Sequence, residues 1–439
     1  MSASYPRDLA RHVFNHLVSR TEERPPQLSV LETLFETLYF PSLRQEEKQP
    51  ISCRIAFIKR SNPDPFPPSR IVADRWRVFP LKPELEFSVR NLVKLSTAVD
   101  PWTSTLAVDV GVSGKLRIWG LIDQSLHYSA YVMKETSTGP EMPGMFQATI
   151  EGVGEIAAYK TYVLLGSLRH DVLVTKQPRV FEAGPFHSRL RRIIRGYRRR
   201  VIAKVEKDAY LGRSHWDAGL ERLWISALCR VLIGIRRYGH GGAVLISDTA
   251  RGLSPKYTLH YPRLREALVR AGTETISHEY YSDMIHEEFI ESKFEELPMD
   301  LYLDEAVSSS ELEDINNELR GCIRFMVSLS RVDGLIWLDS DLSLRGFGVE
   351  ITTKEDPAAV YRANNTKGTN LTKLEMNHFG MRHRSMMRYC AVVPSGIGFV
   401  ISQDGDVRAI TTIGERVLLW ENVRIQSILI PRTPRAYVM

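Results

Sequence analysis

One segment of the chain places two arginines, a histidine and a hydroxyl group close to a glycine. It reads Gly380-Met381-Arg382-His383-Arg384-Ser385. The apolar spacing after it predicts a helix that begins near Ser385. A helix N-terminus offers free backbone N–H groups and a positive dipole end, and guanidinium groups add planar donors. This composition is that of a triphosphate receptor. The alternative is a basic surface turn in which Ser385 only caps the helix.

A second segment places a carboxylate and a glycine at the entrance to a predicted buried strand. Asp333 and Gly334 precede Leu335, where an apolar run begins. Glycine lets a ligand approach the backbone closely, and an aspartate at the edge of a sheet can reach a hydroxyl group or a metal ion. An ordinary Asp-Gly turn is the alternative interpretation.

The elements around these segments predict an α/β region. Residues 216–237 form an amphipathic helix that ends at a glycine-rich turn, and residues 243–247 form a short buried strand. A helix from about residue 309 to 331 leads into the Asp-Gly strand, whose hairpin partner is predicted at residues 344–351. After the Arg-His-Arg segment, the run GFVISQDGDVRAIT predicts a strand, a turn and a further strand.

The first 180 or so residues have a different pattern. Two short helices are predicted at residues 7–19 and 28–38, followed by extended segments that include SAYVM at 129–133. They predict an α+β unit on a largely antiparallel sheet, without a catalytic motif. The predicted fold class is therefore α/β, a mixed twisted sheet flanked by helices and preceded by an α+β domain. The predicted domains are an α+β domain at 1–185, a basic helical linker at 186–214, an α/β domain at 215–425 and a tail at 426–439.

Residues 187–206 are predicted to form a helix that is rich in arginine. An apolar stripe runs along it, and arginines cover the rest of its surface. The pattern fits a solvated linker helix or a contact with nucleic acid. The absence of interleaved aromatic side chains favours the linker.

Composition limits the function classes. Lys and Arg number 58 against 52 Asp and Glu, a net charge of +6, so any basic function is local. The four cysteines are far apart, which excludes a disulfide scaffold and fits a reducing cytoplasm. The sequence predicts neither a secretion signal nor a membrane span. We expect a soluble cytoplasmic protein.

In the order and spacing of these segments, the sequence resembles the diadenylate cyclase (DAC) domain family. The family's signatures are an Asp-Gly-Ala motif, a Gly-Thr-Arg-His-Arg motif and a later turn rich in serine and glutamate. They correspond here to Asp333-Gly334, to residues 382–385 and to the Ser-Gln-Asp-Gly turn at 402–405. The resemblance covers residues 215–425, with an insertion near 255–305. The preceding region resembles the sensor-type domains of the DACNV group.

Three positions depart from the family pattern. Leu335 replaces the family's alanine, Met381 replaces threonine, and Gln403, beside Asp404, replaces glutamate. Losing a hydroxyl and a carboxylate group affects turnover more than nucleotide binding. The departures favour an alternative function, a nucleotide-binding sensor or signalling protein that keeps the DAC fold and no longer synthesises product.

The resemblance implies a reaction and a role for each residue. Two domains face each other, each holds one ATP, and each 3′-hydroxyl attacks the α-phosphate of the other nucleotide, which gives cyclic di-AMP and two pyrophosphates. Asp333 is expected to orient or deprotonate the hydroxyl and to hold Mg²⁺ or Mn²⁺. Arg382, His383 and Arg384 are expected to hold the triphosphate. The other implied nucleotide-binding positions are Gly334, Leu335, Gly380, Met381, Ser385 and Gln403.

The same resemblance implies the partners. They are ATP, a second copy of the chain in a homodimer or higher oligomer through facing DAC domains, and a small molecule or protein at the sensor domain. A monomer cannot complete the reaction in this geometry. Nucleic-acid binding through the arginine-rich helix is a third and weaker interpretation.

Overall fold

The chain divides between Gln177 and Pro178 into two units, which are described separately. The computed structural model describes residues 3–20, 25–46, 49–62, 76–134, 145–160, 163–205, 216–291, 299–403 and 405–425. The predicted tail at 426–439 and residues 206–214 of the predicted linker lie outside these ranges.

The first unit opens with the two predicted helices, α1 (Pro6–Arg20) and α2 (Leu28–Ser42). Helices α3 (Val89–Ser96) and α4 (Ser125–Val132) follow later in the chain. The prediction of a strand at 129–133 is wrong, because α4 occupies most of that segment. Its buried side chains include Tyr128, Tyr131 and Val132, the three- and four-residue spacing of one helix face.

The strands of the first unit form a small ribbon and a larger mixed sheet. They are β1 (Gln45–Glu46), β2 (Gln49–Pro50), β3 (Arg54–Phe57), β4 (Arg77–Glu86), β5 (Ser104–Val110), β6 (Leu116–Asp123), β7 (Phe146–Gly152), β8 (Glu155–Lys160), β9 (Val163–Arg169) and β10 (Val172–Val174). The larger sheet has the order β10-β9-β8-β7-β3-β5-β6-β4. Of its neighbouring strands, β3 and β5 are parallel and the others antiparallel, which confirms the largely antiparallel prediction. Side chains of α1 and α2, such as Leu9 and Phe35, are buried in the core with Phe146 of β7.

The second unit contains five longer helices among its described residues. They are α5 (Gly184–Ile202), α6 (Trp216–Arg237), α7 (Arg263–Glu291), α8 (Met299–Leu329) and α9 (Met381–Val392), with a 3₁₀ turn at Met376–His378 before α9. Helix α6 has the predicted bounds. Helix α8 begins at Met299, before the predicted start at about residue 309, so that Ser308 lies inside it. The hydroxyl of Ser308, 3% exposed, donates to Glu274 of α7.

The second sheet is mixed, as predicted. Its strands are β11 (Gly242–Ile246), β12 (Leu253–Tyr261), β13 (Leu335–Leu338), β14 (Leu344–Ile351), β15 (Val360–Ala363), β16 (Leu371–Leu374), β17 (Ile397–Ile401), β18 (Val407–Ile413) and β19 (Arg416–Trp420). The order is β12-β14-β13-β11-β17-β18-β19-β15-β16, with β11–β13 and β15–β19 parallel. The segment expected as an insertion near 255–305 supplies most of β12, an edge strand on β14, and all of α7. The fold is thus α/β, with two mixed sheets flanked by helices.

Helix α5 packs inside the second unit, although the sequence predicts a linker there. Its apolar stripe is buried, and the hydroxyl of Tyr197 donates to the carbonyl of Leu268 on α7 at 3.0 Å. Three of its arginines pair with carboxylates of this unit: Arg191 with Glu221, Arg198 with Asp217, and Arg200 with Asp341.

The four cysteines are buried free thiols. Among the described residues, no helix has the length and apolar character needed to cross a membrane.

Candidate functional site

One edge of the second sheet collects residues that are distant in the sequence. Strands β11 and β13 are parallel neighbours, so Gly241 before β11 and Asp333 before β13 lie at the same edge. Strand β17 is antiparallel to β11, so Gln403, which follows β17, lies there too. The next strand, β18, starts from this edge. Strand pairing therefore brings together three of the sequence's separate motifs.

The N-terminus of α9 carries the Arg-His-Arg-Ser segment. Helix α9 begins at Met381, and Gly380 is its N-cap, with φ −62° and ψ 165°. The N–H groups of His383 and Arg384 donate to the Gly380 carbonyl at 3.1 and 3.2 Å. The predicted start near Ser385 is thus about one turn too late, and Ser385 is not a cap. The first turn keeps backbone donors that no intrahelical acceptor can satisfy.

Arg382 connects α9 to the loops at this edge. Its Nη2 atom is 4.0 Å from Oδ1 of Asp333, whose side chain is 95% exposed. Its Nη1 atom is 3.2 Å from the point that a Cβ on Gly241 would occupy, and the backbone nitrogen of Gln403 is 3.3 Å from that point. The structure therefore brings Asp333, Gly241 and Gln403 together around Arg382. Asp404, beside Gln403, lies outside the described residues.

His383 faces the sheet and contacts an arginine that was not predicted as a site residue. Its Nε2 atom is 2.8 Å from Nη1 of Arg408 on β18, and its ring centroid is 5.8 Å from that of Phe379. Burial, followed by the positive charges of Arg408 and Arg382, lowers the pKa of His383 to about 4. The imidazole is therefore neutral at physiological pH.

Arg384 carries a buried donor that has no acceptor. Its Nε atom is buried and makes no hydrogen bond, and no described carboxylate forms an ion pair with its guanidinium. A buried unsatisfied donor is costly for the fold unless a ligand or solvent satisfies it. Ser385 is half-buried one turn into α9, and Met381 is 76% exposed at its start. We refer to Asp333, Arg382, His383, Arg384 and Gln403, with Gly241 and the N-terminus of α9, as the candidate site.

Gly334 is required by the protein's own backbone. Its φ is +123°, and a Cβ there would lie 2.4 Å from the carbonyl carbon of Gly348 on β14. Both observations exclude a side chain at this position. Gly380 is different, because a Cβ there would meet no described atom within 4 Å. Of the two glycines expected to admit a ligand, only Gly380 leaves open space.

The side chain of Leu335 lies in the core rather than on the surface of the site. It is 5% exposed and belongs to the apolar cluster that joins the sheet to Met386 and Met387 of α9. Its expected contact with a nucleotide is therefore not available to the side chain. The leucine side chain fills part of this core.

The acidic side chains fit a metal ion only if a ligand supplies further donors. Among the described residues, no three His, Cys, Asp or Glu side chains are grouped as a metal site. Asp333 alone offers one open carboxylate. Mg²⁺ is commonly bound by one or two carboxylates together with nucleotide phosphates, so Asp333 fits such an ion when a nucleotide is present.

The structure adds two residues to those predicted from the sequence. Gly241 has φ +69°, and a Cβ there would lie 2.9 Å from the carbonyl oxygen of Ile401. Its signal in the sequence is the glycine-rich turn after α6, which predicts only the end of that helix. The second is Arg408, a lone charged residue in a strand of apolar and small residues. The sequence does not reveal which residues Gly241 and Arg408 contact.

Comparisons with known proteins identify a domain in the first unit. The model of the family described as "Probable sensor domain DACNV" matches residues 20–123. This domain is associated with diadenylate cyclases. The match includes no residue of the candidate site. Neither the curated proteins nor the solved structures gave a match.

Proposed function

We propose that the chain is a diadenylate cyclase-like protein that condenses two ATP molecules into cyclic di-AMP and releases pyrophosphate, under the control of its N-terminal sensor domain. The observation that carries the proposal is the approach of Arg382 to Asp333 at the N-terminus of α9. The sensor-domain match at residues 20–123 supports it independently.

The triphosphate would lie over the first turn of α9. Free backbone N–H groups and the helix dipole favour an anion there, and Arg382 and Arg384 provide guanidinium donors. The buried Nε of Arg384 would gain the acceptor that it lacks. His383, being neutral, would donate one hydrogen bond rather than add charge. The glycine at position 380 leaves room for a phosphate near the backbone.

Asp333 would act on the ribose hydroxyl. In each half-reaction the 3′-oxygen of one ATP bonds to the α-phosphorus of the other, and the bond from that phosphorus to pyrophosphate breaks. The hydroxyl proton passes to Asp333 or, through it, to solvent. A bound Mg²⁺ or Mn²⁺ held by Asp333 would neutralise charge on the phosphates. Two such attacks convert two ATP molecules into cyclic di-AMP and two pyrophosphates.

The reaction requires a second copy of the chain. One site holds one triphosphate, whereas the product joins two nucleotides. The carboxylate of Asp333 is 95% exposed, so it is open to a nucleotide held by a facing domain. We therefore propose a homodimer or a higher homo-oligomer in which two candidate sites face each other.

A nucleotide-binding sensor without synthesis is the second candidate function. The observation that favours it is Met381, which is 76% exposed at the start of α9 and offers no hydroxyl group to a phosphate. Gln403, which replaces the glutamate of the family pattern, favours it as well. Such a protein would bind ATP through the same arginines and release it unchanged.

Incubation of the full chain with ATP and Mn²⁺, followed by mass spectrometry, separates these functions. The cyclase is expected to give cyclic di-AMP and pyrophosphate in a one-to-two ratio, and the D333N variant neither. A sensor would bind ATP in calorimetry and leave it intact. Absence of both binding and product would reject the assignment of a nucleotide to this site.

A further inference from the structure

Arg408 lies on the face of β18 that α9 covers. Alternate residues of a strand share one face. Thr412, four residues further along, donates from its hydroxyl to the Cys390 carbonyl of α9 at 2.6 Å, which fixes this face as the one toward the helix. Arg408 therefore lies beneath the first turn of α9, where its Nη1 is 2.8 Å from Nε2 of His383.

Two carboxylates lie at ion-pairing distance from the guanidinium of Arg408, although its buried Nε makes no hydrogen bond. Its Nε is 3.5 Å from Oε1 of Glu421, and its Nη2 is 3.9 Å from Oδ2 of Asp406. Glu421 also pairs with Arg362 on β15, at 3.4 Å. The arginine side chain is only 21% exposed, so the surrounding protein restricts its orientation.

The direction of the contact with His383 follows from chemistry. An arginine side chain has donors and no acceptor, so Nε2 of His383 must accept the hydrogen bond. A neutral imidazole that accepts through Nε2 carries its proton on Nδ1. We propose that Arg408 is a positioning residue that holds His383 as the neutral Nδ1–H tautomer, with one N–H group available to a phosphate oxygen.

The charges around His383 all favour this neutral form. Burial lowers its pKa most, and the charges of Arg408 on β18 and of Arg382 on its own helix lower it further, to about 4. Within the described part of the chain, no carboxylate lies at ion-pairing distance from the imidazole. The positive charge of the site thus comes from Arg382 and Arg384, whereas His383 contributes an uncharged, directional hydrogen-bond donor. The use of its Nδ1–H toward a phosphate rests on the proposed function; the tautomer itself does not.

Nitrogen-15 NMR of the imidazole in the full-length, nucleotide-free protein tests the proposal. The His383 signals are assigned by their loss in H383Q. The wild type is expected to show the Nδ1–H tautomer at pH 7 and no protonation above about pH 5. In R408M the titration midpoint is expected to rise and both tautomers to appear. R408K retains a donor and a charge, so it is expected to restore the wild-type tautomer at least in part.

Arg416 provides the matched control. It is an exposed arginine of the same sheet that lies over the Tyr361 ring, with its Cζ 5.6 Å from the ring centroid. The R416M variant is expected to leave the His383 signals unchanged. An Nε2–H tautomer in the wild type, or identical tautomer and midpoint in R408M, would overturn the proposal. The tautomer of the wild type is measured without any variant, so it tests the proposal even if R408M does not fold.

These signals are measured without nucleotide, so they are independent of the proposed reaction. A chain that makes no cyclic di-AMP can still show the Nδ1–H tautomer, and an active chain can lack it. If the chain is active, R408M is expected to lower the rate of product formation about tenfold and R416M to leave it unchanged. An unchanged rate in R408M would exclude a contribution of the fixed tautomer to catalysis.

Discussion

Asp333 and Arg382 form one long ion pair, in which Oδ1 of Asp333 lies 4.0 Å from Nη2 of Arg382. An ion pair this long, with a carboxylate that is 95% exposed, contributes little to folding. The pair is therefore not needed to hold β13 and α9 together. Both groups are free to reorient toward a ligand. Mutations of either residue can therefore change binding or catalysis with little change in the stability of the fold.

The D333N variant tests the role of the carboxylate in chemistry. It keeps the shape of the side chain and removes the charge, so ATP affinity is expected to stay within a few fold while cyclic di-AMP disappears. Calorimetry measures the first and mass spectrometry the second. The control is E415Q, which removes an exposed carboxylate from the β18–β19 turn. Full activity in D333N would remove Asp333 from the mechanism.

Truncation of the two arginines tests the triphosphate position. Replacing Arg384 by Ala removes a donor that the fold leaves unsatisfied, so ATP binding is expected to weaken by about 1.5 to 3 kcal/mol. Arg382 is 44% exposed, and its loss is expected to have an effect at the lower end of that range. R192A removes an exposed arginine of α5 and is the control. Unchanged affinity in both R382A and R384A would mean that this segment is only a basic surface turn.

The sequence predicted most elements of the second unit because their periodicities are strong. The stripe of α6 and the apolar run of β13 needed no tertiary information. The register that places Gly241 beside Arg382, and the hydrogen bond from Arg408 to His383, depend on strand order, which local patterns do not encode. Leu335 was expected near a ligand because it stands at the alanine position of the DAC pattern, and that correspondence does not distinguish a pocket wall from a core. Helix α4 was misjudged because its tyrosines and valine also favour strands.

The two glycines of the site are expected to respond differently to a side chain. G334A introduces a Cβ at φ +123°, 2.4 Å from the backbone of Gly348, so stability is expected to fall by at least about 2 kcal/mol. G380S adds its side chain in open space at an N-cap, where serine is favourable, so the melting temperature is expected to hold or rise. Thermal unfolding measures both. If a phosphate lies against the backbone at Gly380, G380S also weakens ATP binding; equal affinity would place the phosphate elsewhere.

The neutral state of His383 predicts a pH dependence of stability. Its pKa is lowered from 6.5 to about 4 in the folded chain, so between these values the unfolded chain binds a proton that the folded chain does not. The stabilisation is therefore complete above about pH 6.5 and is lost as the pH falls toward 4, by up to about 1.4 kcal/mol per pH unit. H383Q is expected to have a flatter curve over this range. The free energy of unfolding is measured in urea at each pH, with hydrogen exchange of α9 peptides as the probe. The control is H378Q, because the side chain of His378 is 78% exposed. Parallel curves for the wild type and H383Q would contradict the prediction.

Mixed oligomers test whether the product requires two competent domains. In a facing pair, a D333N subunit leaves one of the two attacks without its base, so a mixed pair is expected to make at most a linear dinucleotide. Equal amounts of wild type and D333N are mixed and allowed to exchange subunits, so about one quarter of the pairs contain two wild-type subunits. The rate of cyclic di-AMP formation is therefore expected to fall to about one quarter of the rate for wild-type protein at the same total concentration. Independent subunits would give about one half, and mixing with E415Q is expected to change nothing. Dilution gives a second measure, because activity per subunit should fall as pairs dissociate. A rate of one half in the mixture, with a constant specific activity on dilution, would exclude the facing arrangement and favour a mechanism in which each subunit forms product alone.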